Sequence, residues 1–531
     1  MLAITLHILA LATPPALLPG APLQAALQAA ADGGRATFTV PAGEYNFSST
    51  PLRLQSASDL EISAAGATFW FSPGGGVALN SCARVAIRGL TIDYTPTLAQ
   101  GSVLSVDRDP EAPSFTAKFD ERFLAPCPDA STSSCKVGFY SPDTQQLVRN
   151  ASDPAAVNIF TGKVEAAGAA GVFRVFVRVT DPDSPHGIGL AAPGMSVTVF
   201  HGSNPHSYTS TNCTNITLED VNIFGGTGMG IVDGQGGGGS TYRRVQLTRR
   251  PLMRGVGAVA LPPPHAFRLQ ATNEDGFHSN GNDRGPTIVD SLIAFTGDDN
   301  GNICSGMSVV LAVAATDTQR GAGGGTLSLV DVGRNLPRGR AGDYLAFYHL
   351  NTQAFQGRVA LAGTPSVSHD AAAIRRMRAG FATMQAPPYS AHFVPHVQQQ
   401  FAQGLPVQLQ LEGPLPPAVA ALWSTAVLES TDNSGARVRN TTFSDSYARA
   451  FMIKGRDASF VGNTFRRSGG IHIGPEQAWL EGDPGIENVT VEGNVFDDIG
   501  QPPAQIDAGV PRGRNIVVRN NHVTVPEGSP L

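Results

Sequence analysis

Charge is scarce in this 531-residue chain: Asp, Glu, Lys and Arg make up 15% of it, and aromatic residues 7%. The net charge of -6 offers nothing to a nucleic-acid backbone or an anionic membrane surface, and it is too small to hold the chain unfolded. Beyond the N-terminus no apolar run is long enough to span a bilayer as a helix. Motifs that would announce other chemistries are missing too. There is no glycine-rich phosphate loop with a lysine, no nucleophile elbow and no paired-cysteine zinc pattern. With five cysteines an intramolecular disulfide set leaves at least one thiol free.

What the chain does have is 60 glycines and 39 prolines, a balance that favours turn-rich β structure over helix. Short runs of alternating β-branched residues recur with Asn or Gly between them, as in Val85-Ala86-Ile87, Leu90-Thr91-Ile92, Val489-Thr490-Val491 and Ile516-Val517-Val518. Period-two alternation gives each strand one apolar face, and Asn and Gly suit the corners. The phenylalanines Phe443, Phe465 and Phe496 recur at uneven intervals of 22 and 31 residues. Coils that tolerate insertion account for this, so the expected fold is all-β, a right-handed parallel β-helix.

The segment Cys82–Ile92 aligns without a gap on Cys213–Ile223, apolar position on apolar position. Adjacent rungs there require residues 99–207 to loop out as an inserted β-barrel or sandwich. A second β-rich insertion is expected over 305–430, with one helical stretch near Ala371 to Met384. The remaining divisions are a signal peptide over 1–25, a cap and first coils over 26–98, central coils over 208–304 and C-terminal coils over 431–531. A short helix near Ala25 to Ala31 is expected to cap the open end. Stacked rungs would bring Cys82 and Cys213 within disulfide range or leave them as two reduced thiols in the core; Cys127 and Cys135 flank a loop and form the simplest disulfide.

The apolar run Leu2–Ala12, small residues at Ala21 and Ala25, and sequons at Asn46, Asn150, Asn212, Asn215, Asn440 and Asn488 predict an exported, secreted glycoprotein. Chemistry concentrates in Asn273-Glu274-Asp275-Gly276-Phe277-His278 and Gly297-Asp298-Asp299, with 23 residues from Asp275 to Asp298. One coil of a β-helix has about that length, so the spacing predicts three carboxylates in one groove. Crowded carboxylates repel, which leaves one protonated as an acid while another activates water, the two roles glycoside hydrolysis needs. Such a trio also suits Ca²⁺, which a polysaccharide lyase would use.

These motifs resemble the carboxylate signature of β-helix glycosidases with a pectate-lyase-like solenoid. The polygalacturonases are one such group, and the α-1,3-galactosidases of glycoside hydrolase family one hundred and ten are the nearer one. The nearer likeness extends to Val40-Pro41-Ala42-Gly43-Glu44-Tyr45, to Gly89-Leu90-Thr91-Ile92-Asp93-Tyr94 with Gln100-Gly101, and to Glu476–Gly482. The resemblance implies inverting, exo-acting removal of terminal α-linked galactose from a glycan, without cofactor or metal. It implies catalysis by Asp275, Asp298 and Asp299, and we assign Asp298 as the acid with the other two holding water. His278, Asn302, His472, Glu476, Trp479 and Glu481 are the expected substrate-binding residues, and Lys454 and Arg456 are expected on a solvated rim. Cys304 departs from the family pattern, which has His there. The polygalacturonase Gly-His-Gly element is absent. The other readings are a polygalacturonase-like hydrolase, a polysaccharide lyase, and a non-catalytic glycan-binding β-helix.

Overall fold

The computed structural model describes residues 17–121, 123–127, 135–148, 159–177, 187–200, 205–250, 268–313, 326–331, 335–350, 352–367, 405–419, 424–476, 480–499, 504–506 and 514–524. Three long parallel sheets, of ten, eleven and nine strands among the described residues, wall a right-handed β-helix. Each coil visits them in the same order. One example runs from Thr287–Val289 in the first sheet to Leu292–Ala294 in the second and Gly301–Cys304 in the third. Alternation sends one residue in two into a continuous apolar core along the axis. Phe443, Phe465 and Phe496 lie in register there as a stack, with ring centroids 5.3 and 5.0 Å apart.

The pairing between the aligned cysteine segments follows the sequence alignment residue for residue: Ile87 pairs with Leu218 and Ile92 with Ile223. Cys82 and Cys213 are both buried free thiols, and the Cys82 backbone N–H points at the Cys213 sulfur 3.3 Å away. They stack in the core as reduced residues, while Cys127 and Cys135 form a disulfide. Asparagines turn many corners. Asn212, Asn215, Asn440 and Asn488 all hold positive φ between 46° and 56°. Four sequons therefore coincide with places where the backbone itself asks for Asn. Asn150 lies outside the described residues.

The cap helix spans Gly20–Asp32, beginning well before Ala25, because Leu23 and Leu27 bury into the first coils and Leu18–Pro19 already pairs with Tyr45 and Asn46. The boundary expected at residue 25 thus falls inside that helix; residues 1–16 lie outside the described residues. Two insertions leave the solenoid. Between the second and third sheets, strands from Ala99–Asp107 to Ser196–Phe200 close a six-stranded antiparallel barrel. After Gly301–Cys304 the chain leaves again to build a seven-stranded antiparallel sheet, from Ser308–Val313 to Ser424–Leu428. The helical stretch expected near Ala371 to Met384 lies outside the described residues.

Candidate active site

The corner between the second and third sheets carries the acidic motifs. In the third sheet Phe277 pairs with Gly301 and His278 with Asn302, a step of 24 positions. Asp275 is therefore equivalent to Asp299, with the Gly276 N–H donating to the Asp299 carbonyl at 2.9 Å. Asp298 is not the equivalent residue that a 23-residue spacing suggests; it protrudes one position earlier. Burial follows this offset: Asp275 and Asp299 are buried, while 36% of the Asp298 side chain is exposed. Oxygens of all three carboxylates lie within 4.8 Å of one another. That is shorter than the acid–base separation expected for inversion, about 6.5–9.5 Å. The cause is the stacking of Asp275 and Asp299 on neighbouring rungs, spaced roughly 4.8 Å.

Residues outside the carboxylate trio complete the site. From the barrel, the Lys136 ammonium donates to Asp298 Oδ2 at 2.5 Å and to the Gly297 carbonyl at 3.1 Å. The barrel can come this close because Gly138, two residues on, faces the Tyr447 hydroxyl, where a Cβ would clash. Tyr447 in turn meets Tyr140 and Thr198 of the barrel. Arg449 is the next equivalent of Asp299 along the stack. Its N–H donates to Asp299 Oδ1 at 2.7 Å, and its guanidinium reaches Glu476 Oε1 at 2.8 Å. Lys454 is fully buried rather than on a solvated rim, donating to Glu476 at 2.8 Å and Glu481 at 2.7 Å. Arg456 is likewise largely covered, donating to the buried Asp432 carboxylate at 2.5 Å and to the Glu429 carbonyl at 2.8 Å. Glu274 stands beside the trio.

Proton affinities follow from this packing. Burial pushes Asp299 up to about 8, against the pull of Arg449 and with help from Asp298 and Asp275. Burial and the Asp275 charge raise Glu274 to about 7. Burial opposes charge on His278, yet Cys304 and Asp275 together hold it well above its usual range. Burial alone would raise Glu476, but Lys454 and Arg449 pull it down to about 2. At neutral pH the cluster thus holds Asp299 protonated, Glu274 close to its midpoint and Asp275 raised by burial, beside the partly exposed Asp298 and the cations of Lys136, Arg449 and Lys454.

The expected binding residues divide. His278 Nδ1 lies 2.8 Å from Asp275 Oδ2, and its Nε2 lies 3.6 Å from the Cys304 sulfur. Asn302 donates to Glu481 Oε2 at 3.3 Å. Glu476 and Glu481 exchange backbone hydrogen bonds at the neck of their loop, which points both carboxylates at Lys454. His472 is on the strand Ile471–Ile473 rather than in that loop, paired with Met452 and so two rungs past Asn302. Trp479 lies outside the described residues. Arg449 was findable: setting Ile293–Asp299 against Phe443–Arg449, the two strand ends that pair, puts Arg449 opposite Asp299. Lys136 carries no such signal, since its place depends on how the barrel folds back.

No family model matches the sequence, and no curated protein matches it. Among solved structures the chain is similar to the A-module of Azotobacter vinelandii mannuronan C-5 epimerase AlgE6. The identity is 9%, with 95% of this chain and 96% of that one covered and a TM-score of 0.30. It is also similar to the A-module of mannuronan C-5 epimerase AlgE4 from the same organism, at 9% identity, 95% and 94% coverage and a TM-score of 0.24. The α-galactosidase resemblance therefore rests on its sequence motifs.

Proposed function

We propose that this chain is an exported glycoside hydrolase that releases terminal α-linked galactose from glycans. The observation that carries the reading is the carboxylate trio of Asp275, Asp298 and Asp299, with oxygens within 4.8 Å and one member held protonated at neutral pH. Asp299 takes the acid role and protonates the leaving glycosidic oxygen. Asp298, the most exposed of the three, orients the attacking water together with Asp275. This exchanges the roles that the motifs alone suggested for Asp298 and Asp299. Galactose as the sugar rests on the motif resemblance, and export on the apolar leader and the sequons.

The test is a panel of α- and β-linked galactosides and oligogalacturonides, with the anomeric configuration of the first-formed product followed by NMR. Free galactose from α-linked substrates is expected; the motif resemblance implies inversion, whereas the spacing within 4.8 Å is nearer that of retaining enzymes, so the NMR decides between the two. Retention would instead make Asp298 a nucleophile, which the short spacing permits. An unsaturated product would replace hydrolysis by elimination, and no turnover on any member would leave a binding protein.

The proton on Asp299 sets a second expectation. A raised acid holds its proton below its folded value and loses it above. The kcat/KM profile should therefore fall as pH rises through about 8. A profile that stays flat well beyond that point removes Asp299 from the acid role.

A further inference from the structure

We propose a second site beside the trio, for a thiophilic divalent cation such as Zn²⁺, formed by His278, Cys304 and Glu481. One donor atom of each, the imidazole nitrogen, the sulfur and a carboxylate oxygen, lies within 4.8 Å of the others. Cys304 Sγ and His278 Nε2 are 3.6 Å apart. A tetrahedral zinc with Zn–S about 2.3 Å and Zn–N about 2.0–2.1 Å spans an S···N edge of about 3.6 Å, so the pair already stands at ligand separation.

The surroundings have the features that hold metal ligands in place. His278 Nδ1 is anchored by Asp275 at 2.8 Å, which aims Nε2 at the thiol. Metal-binding histidines are oriented this way by a carboxylate on their other nitrogen. Glu481 Oε2 is occupied by Lys454 and Asn302, which leaves Oε1 for a cation. Asn302 pairs with His278 on the next rung, and its buried Oδ1 has no hydrogen-bond partner. A fourth position is left for solvent, beside this unpartnered polar atom.

The donor set selects the ion. A thiolate with an imidazole excludes Ca²⁺ and Mg²⁺, which prefer oxygen, and suits Zn²⁺ or Co²⁺. Thiolate and carboxylate together balance the dication, and Lys454 keeps its partner Glu476. Binding releases the Cys304 and His278 protons, so affinity rises with pH. Cys304 is fully buried while 21% of the Glu481 side chain is exposed, so the ion enters from the Glu481 side.

The test uses the full chain, stripped with a chelator and dialysed, then titrated with Zn²⁺ by calorimetry and with Co²⁺ by absorption. No substrate is involved, so the result is independent of the hydrolase reading. One Co²⁺ per chain is expected, with tetrahedral d–d bands and a thiolate charge-transfer band. Cys304→Ser should lose that band, Cys82→Ser should keep it, and Asp275→Asn should weaken Zn²⁺ about 10–100-fold. Should Cys304→Ser fail the circular-dichroism check of folding, His278→Gln gives the same reading through loss of the tetrahedral bands. Absence of saturable uptake overturns the proposal. So does a band that survives in Cys304→Ser, or an octahedral spectrum indifferent to both variants, which would place the ion on the aspartates.

Discussion

Under the proposed hydrolase reading, Asp299→Asn is expected to lower kcat by about 10²–10⁴-fold, the usual contribution of a positioned general acid, on any glycoside of the panel that is turned over. The substitution is close to isosteric, and it is also nearly isoelectric because burial keeps Asp299 protonated at neutral pH. The asparagine oxygen can still accept the Arg449 N–H that Asp299 Oδ1 accepts at 2.7 Å. Activity should therefore fall without a fall in thermal midpoint near neutral pH. The sign for stability runs the other way from most acids. A carboxyl raised in the folded state destabilises the fold as pH climbs from its ordinary value towards 8, and the amide removes that cost. Asp298→Asn should also lose activity, by removing the group that orients water. Wild-type turnover in Asp299→Asn, measured beside an unchanged circular-dichroism spectrum, would take the acid role away from this residue.

The solenoid was legible because its physics is local. Alternating apolar residues and Asn or Gly corners repeat on each rung, so the register of Ile87 with Leu218 and of Phe443 with Phe465 can be read by eye. The places where the chain leaves the coil are legible for the same reason: the alternation of Cys82–Ile92 resumes at Cys213 in matching phase. The extent of the cap helix was not, since Leu23 earns its place in the helix through burial against the coils rather than through any repeat.

The site was legible only along the rungs. Asp275 and the Asp298–Asp299 pair come together through one turn of the coil, but the coil is 24 residues long at that point, and the extra residue decides which aspartate is buried. Groups that arrive from outside the coil left no trace. Lys136 reaches Asp298 across 162 positions of sequence, through a barrel whose docking depends on Gly138 meeting Tyr447. A solvated rim is the default place for a lysine such as Lys454, since lysines are seldom buried unless paired. Its partners Glu476 and Glu481 lie in a loop whose direction no periodicity encodes.

Lys454→Met carries the largest expected loss of stability. The lysine is fully buried just past the strand Phe451–Ile453 of the third sheet, between Glu476 Oε2 at 2.8 Å and Glu481 Oε2 at 2.7 Å. Methionine fills most of the stem's volume, so the change isolates the charge. Two carboxylates would then face each other in a covered site with only Arg449 left for Glu476 and Asn302 for Glu481. Removing one member of a buried ion cluster typically costs about 3–5 kcal/mol, and that loss is expected in urea or thermal unfolding near neutral pH. The pH dependence distinguishes charge from packing. Glu476 is depressed in the folded state from 4.5 to about 2. Its contribution is present above 4.5 and disappears as pH falls through about 2. The variant loses the Lys454 share of that depression and keeps the Arg449 share, so the gap between it and the wild type should be widest above 4.5 and narrow steadily on acidification. A gap that keeps the same width down to the acid limit would mean that the lysine stem, rather than its charge, holds this corner together.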